Sequence, residues 1–181
     1  MRALLINLCL DPLSELEFVK PIEYILRYHG INTFIKRYME ISPEDLGLAE
    51  KVILCGSALK DDHFLTDKWF RWLEKYDRPI LGVGSGSHAI AKAFGCSLIN
   101  KTKIGMFKVR LIRESRLMDK RVFYAYFLTK RAIIPTKPLE SLAKVGNLDC
   151  MIKHESREIY GCLFHPEVMN PEIIVNFISK T

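Results

Sequence analysis

Two stretches of the chain carry residue types at spacings that could do chemistry. The first is Pro79-Ile80-Leu81-Gly82-Val83-Gly84-Ser85-Gly86-Ser87-His88. An apolar run enters a helical segment there through Gly-x-Gly-x-Gly. This is the pattern of a nucleophile elbow, whose strained turn lifts one side chain above the sheet edge while the flanking glycines let strand and helix approach. The start of the following helix aims free N–H groups and a positive dipole end at that side chain. The lifted position is Gly84, which has no nucleophile to lift. The second stretch is Tyr160-Gly161-Cys162-Leu163-Phe164-His165-Pro166-Glu167-Val168, a strand that ends in a histidine with an acid just beyond it. A histidine held by a carboxylate is the base that activates a cysteine or serine.

No neighbour of Gly84 is an obvious substitute. Ser85 and Ser87 flank it, but neither has glycine on both sides at the elbow spacing, so their side chains are expected to point away from the tip. Cys55 and Cys162 sit in apolar runs and read as packed rather than reactive thiols. His88, at the start of the helix, is expected to fill the space a substrate would take. His29, His63 and His154 belong to no constellation and read as surface residues.

The elements that must position these groups follow from the hydrophobic pattern. Arg2–Cys9 is a continuous apolar run, as in a strand buried on both faces. Asp11-Pro12 opens a helix that Gly30 closes. Strands are expected over Asn32–Tyr38, Lys51–Cys55 and Arg78–Val83, with helices over Leu65–Tyr76, Ser87–Phe94 and Pro171–Ser179. Strand–helix alternation implies a parallel sheet. After Gly95 the pattern alternates in strand fashion over Ile104–Ile112 and Arg121–Leu128, an antiparallel extension, and Lys153–Phe164 adds a last pair of strands. The expected fold is therefore α/β: a mostly parallel central sheet flanked by helices, with an antiparallel extension, in a single domain over 1–181.

Composition narrows the class. The 181 residues are 49% hydrophobic and 27% charged, a globular balance without a membrane-length apolar run. The five cysteines are scattered without Cys-x-x-Cys spacing, so neither a disulfide framework nor a metal site is expected, and no cofactor. Cysteine usage of this kind, with no signal-peptide pattern, points to the cytoplasm. The chain contains no glutamine, a low amide content that fits a thermophilic source. The net charge of +6 is concentrated between Lys101 and Lys137, where only Glu114 and Asp119 oppose the cations. That stretch reads as a solvated strand face or as a docking surface for an acidic partner. Aromatics are not interleaved with the charges in the manner of an RNA-stacking module, so nucleic acid is not the expected partner.

Taken together, the elbow and the histidine segment resemble the class I glutamine amidotransferases. That family has a cysteine elbow, Pro-x-Leu-Gly-x-Cys-x-Gly, and a C-terminal Gly-x-Gln-Phe-His-Pro-Glu. Gly82, Gly86, Phe164, His165, Pro166 and Glu167 match in order. Gly56-Ser57-Ala58 stands where the family has its oxyanion turn, and Ile104-Gly105-Met106 with Val109 resembles a family stretch on the extension. The resemblance implies thiolate attack on the glutamine side-chain amide, with His165 and Glu167 moving the proton. It also implies N–H groups at Ser57 and Ser85 on the oxyanion, and a synthetase that uses the ammonia. The departures fall on the chemistry. Gly84 replaces the cysteine, His88 and Leu163 replace glutamines, and the family's Ser-His pair falls near Ala125-Tyr126. The leading expectation is an amidotransferase-like protein without glutaminase activity, with Gly56, Ser57, Ser85, Gly86, His88 and Leu163 lining a vestigial pocket. Two alternatives remain open: a glutaminase subunit inactivated by mutation at Gly84, and a hydrolase of another amide with a displaced nucleophile.

Overall fold

The computed structural model describes residues 1–65 and 69–181. The chain begins with β1 (Arg2–Asn7), α1 (Pro12–Phe18), α2 (Lys20–Tyr28), β2 (Asn32–Arg37), α3 (Pro43–Leu48), β3 (Lys51–Leu54) and β4 (Ile80–Val83). It continues through α4 (Ser85–Ala93), β5 (Ser97–Leu111), β6 (Val122–Ile134), β7 (Leu139–Val145), β8 (Leu148–His154) and β9 (Ile159–Cys162) to α5 (Pro166–Met169) and α6 (Glu172–Lys180). These strands join one sheet in the order β2-β1-β3-β4-β9-β8-β6-β5-β7.

The sheet is mixed. β2, β1, β3, β4 and β9 pair in parallel, while β8, β6, β5 and β7 are joined by antiparallel pairings. The antiparallel part is thus larger than a mostly parallel sheet with an extension would have. Every residue of β3, β4 and β9 is buried, because apolar runs without alternation need cover on both faces. Helices supply that cover. Ile22 and Leu26 of α2, and Ile173, Ile174 and Phe177 of α6, are buried in the same core as β1 and β3.

Local chemistry explains where elements differ from expectation. The helix expected from Asp11 to Gly30 is two helices, meeting at Val19. Pro21 has no N–H to give, and its ring crowds the carbonyl of the preceding turn. Helix α3 was not expected; Ser42 and Asp45 close a capping box at its start, and Pro43 suits its first turn. Within the expected helix Leu65–Tyr76, residues 66–68 lie outside the described residues. Its described part contains a 3₁₀ turn at Arg71–Glu74, and another 3₁₀ turn, His63–Leu65, ends at its first residue. Tyr38 stacks there against Phe70, and Trp72 meets Tyr76 edge-on. Aromatic side chains lose rotamer freedom in a helix, so packing decides the backbone here. Strand β7 and the first half of β8 also differ from expectation, although Gly146-Asn147 between them is a hairpin-turn signal. Among the described residues, no helix is long and apolar enough to cross a membrane.

Candidate functional site

β4 delivers the chain to the elbow, where Gly84 has φ 51° and ψ −114° and caps α4. Such a backbone costs a residue with a side chain about 1–3 kcal/mol and glycine little. A Cβ at Gly86 would lie 2.1 Å from the Leu54 carbonyl oxygen, so α4 can enter against β3 only because residue 86 is glycine. The strained turn and the close approach of strand and helix are therefore both present, without a side chain at the tip.

His165 follows β9 and caps α5. Its N–H donates to the Tyr126 carbonyl of β6 at 2.8 Å, which fixes the backbone beside the elbow. Its ring Nδ1 lies 2.8 Å from Glu167 Oε1, and both side chains are only 2% exposed. With Glu167 ionised, Nδ1 carries the proton and donates, which leaves the Nε2 lone pair as the basic atom. Nε2 is buried without a hydrogen-bond partner among the described residues, as is Glu167 Oε2.

The ring crowds the position that a Cβ on residue 84 would take. A Cβ built on Gly84 would stand 2.7 Å from His165 Cε1 and 2.8 Å from Nε2. One built on Gly56 would stand 2.8 Å from Cε1, and Phe18 of α1 packs on the ring with centroids 5.7 Å apart. His165 is thus wedged between two glycines and a phenylalanine. A histidine–carboxylate pair of this geometry can accept a proton, but among the described residues no hydroxyl or thiol bonds to its basic nitrogen.

The remaining candidates are tied into the protein. Ser57 Oγ donates to Ser85 Oγ at 2.8 Å, and Ser87 Oγ donates to the Gly84 carbonyl at 2.6 Å. His88 is buried, with Nε2 3.3 Å from the Arg131 carbonyl and 3.5 Å from Thr129 Oγ1. Burial first, and then the Arg131 charge, pushes its imidazole down to about 4, so it is neutral at ordinary pH. Arg131 in turn grips Asp62 with two hydrogen bonds of 2.5 and 2.9 Å, drawing the loop after β3 against β6. The space between Ser85, His88, Thr129, Arg131 and Asp62 is about 10 Å³. That is room for about one water and not for an amino acid. Leu163 is buried, its N–H donating to the Cys150 carbonyl.

All five cysteines are buried free thiols. Burial pushes the Cys9 thiol up to about 12, and burial with the Glu167 charge raises Cys55 and Cys162. None of these three is a ready thiolate at neutral pH. The reading of His154 as a surface residue is corrected: it is buried at the end of β8, 5.2 Å edge-on to Phe94. An apolar strand carried it inward, and a ring contact took the place of water. Nothing in the sequence pointed to Asp62, Thr129 or Phe18 at the site, since each arrives from a distant element.

The family model for glutamine amidotransferase class-I matches residues 17–179. A subunit of the glutamine-hydrolyzing GMP synthase of Pyrococcus furiosus is 27% identical over 166 residues, covering 86% of this chain and 87% of the relative. The subunit of the same name from Pyrococcus abyssi is 29% identical over the same shares of both chains. A solved Thermoplasma acidophilum structure, named for the same GMP synthase subunit, superposes with a TM-score of 0.86 at 21% identity, covering 99% of this chain and 92% of that one. At that identity the likeness speaks to the fold.

Proposed function

This chain belongs to the class I glutamine amidotransferase family, and from that premise we propose that it is a member that does not hydrolyse glutamine and serves as a binding or regulatory subunit. The observation that carries the reading is the His165 ring standing within 2.8 Å of where a Cβ on residue 84 would be. An enzyme of this chemistry needs a nucleophile under its base. In a comparable serine site, loss of the nucleophile removes about 10⁶-fold in rate. Here the space beside the elbow is also narrow, about 10 Å³ between His88, Thr129 and the Asp62–Arg131 pair. Gly84, His88 and Leu163 would accordingly have changed together, with the retained His165–Glu167 pair now serving as packing. The Pyrococcus relatives are by name subunits of a glutamine-hydrolyzing synthase. The corresponding role for this chain is attachment to a synthetase or other protein partner in the cytoplasm.

The test is ammonia release from L-glutamine by the purified chain. No release above background is expected, and none that His165→Ala removes. Turnover at the rate of an ordinary amidotransferase, abolished by His165→Ala, would overturn the reading.

A second reading, a glutaminase subunit inactivated at one position, draws on the elbow backbone and the intact 2.8 Å His165–Glu167 bond. It requires Gly84→Cys alone to bring activity back. The displaced-nucleophile reading finds no support in Ser57, Ser85 or Ser87, whose hydroxyls are bonded to each other or to backbone, nor in the buried thiols.

A further inference from the structure

Nine of the eleven cations of the basic stretch fall into two sets once the fold is known, while Lys103 lies over the Phe107 ring and Arg121 just precedes β6. Arg113, Arg116, Lys120, Arg131 and Lys137 sit against Glu140, Glu158, Glu172, Asp62 and Glu155. Lys101, Lys108, Arg110 and Lys130 have no carboxylate partner among the described residues, and they lie on the β5–β6 hairpin. The charge that repels is therefore gathered on one element.

That element has one face in the core and one without cover. Val109, Phe123, Ala125 and Phe127 point inward and are buried. Side chains alternate along a strand, so the outward face carries the cross-strand pairs Met106–Tyr126, Lys108–Tyr124 and Arg110–Val122. Met106 is 65% exposed and Tyr124 58%. The apolar centre is edged by Lys108 and Arg110 at one end and by Lys130 at the other, with Lys101 exposed at the adjoining register shift of β5. Methionine, tyrosine and arginine around an apolar centre is the composition of a protein-interface core rather than of an ordinary surface. Along the other side of β5, pairing with β7 is confined to Arg110 and Leu111.

Resting on the reading of this chain as a binding subunit, we propose that the outward face of the β5–β6 hairpin docks a separate protein, through an apolar patch on the partner rimmed with Asp and Glu. Charge selects the occupant. A second copy of this chain would set Lys101, Lys108, Arg110 and Lys130 against the same cations, and like charges facing each other oppose association. An acidic partner removes that repulsion and is steered in by it. Beside Tyr124 and Tyr126, the aliphatic side chains Ile104, Met106 and Val122 offer a protein surface something to bury, which base stacking on the two rings would leave exposed. The face also backs onto the site: the Tyr126 carbonyl that accepts the His165 N–H lies on the same strand.

The experiment measures binding of the purified chain to the purified synthetase subunit of the same organism's GMP synthase, by calorimetry at about 50 and about 500 mM salt. The expected result is a one-to-one complex that weakens with salt. The Lys108→Glu/Arg110→Glu pair and, separately, the Met106→Ala/Tyr124→Ala pair are expected to lower affinity about tenfold or more. Arg113→Glu, whose cation is already paired with Glu140, is expected to change it less than about twofold. The proposal is overturned if wild type fails to bind, if these pairs bind as wild type does, or if the same face drives self-association or binds a single-stranded oligonucleotide instead. Because binding alone is read, a chain that turned over glutamine yet docked here would overturn the catalytic reading and leave this one standing.

Discussion

Gly84 and His165 are one feature seen from two sides. Glycine at 84 lets the elbow keep φ 51° with little strain, and the missing side chain leaves the room the imidazole takes. Gly84→Ala therefore adds a positive-φ penalty and a clash, together about 3 kcal/mol of lost stability in urea unfolding. Most of the clash should vanish in a His165→Ala background, giving a coupling of about 1 kcal/mol or more in a double-mutant cycle. Strict additivity would mean that the ring does not occupy that space. His88 makes a separate prediction about pH. Its folded value of about 4 lies below the ordinary value of 6.5, so the unfolded chain binds this proton first. The stability it contributes is complete above about pH 6.5 and falls by about 3 kcal/mol as pH drops toward 4. Unfolding of His88→Gln should lose correspondingly less between pH 7 and pH 4.5, and identical pH profiles would contradict the burial argument.

At the scale of elements, the narrow space beside His88 depends on two distant segments meeting. The loop after β3 is held to β6 by the Asp62–Arg131 pair, which is partly exposed and so worth about 1 kcal/mol or less. Arg131→Ala should therefore cost little stability yet let water toward His88. Both the added solvation and the loss of a nearby cation act in the same direction on the imidazole, upward. An NMR titration should show the His88 pKa move toward 6.5 in this variant; no movement would mean the clamp does not keep water from His88. Neither half of that clamp was legible in the sequence, because Arg131 read as one cation of a basic run and Asp62 belonged to no motif. The elbow and the His165–Glu167 segment were legible because each is local: glycine spacing and a short strand end encode them within ten residues. The divided first helix shows the opposite case, where a continuous apolar period hid a break that Pro21 imposes. Strand β7 was hidden because its alternation is weak, with both Leu142 and Ala143 buried side by side at a register shift.

Across the whole molecule, the sheet brings two surfaces to one place. Parallel strands β3, β4 and β9 converge on the elbow, and the antiparallel strands carry an exposed hairpin face, one strand of which holds the His165 backbone. On the function proposed above, the chain keeps the frame of the class I amidotransferase family and uses it as a scaffold for binding rather than for turnover. The most direct measurement is ammonia release from L-glutamine by Gly84→Cys, with circular dichroism confirming that the variant is folded. None above background is expected, since the new side chain meets the His165 ring and the space beside His88 is too small for glutamine. Ammonia release by this single variant at the rate of an active class I amidotransferase would contradict that expectation, and would make the chain a glutaminase silenced at one residue.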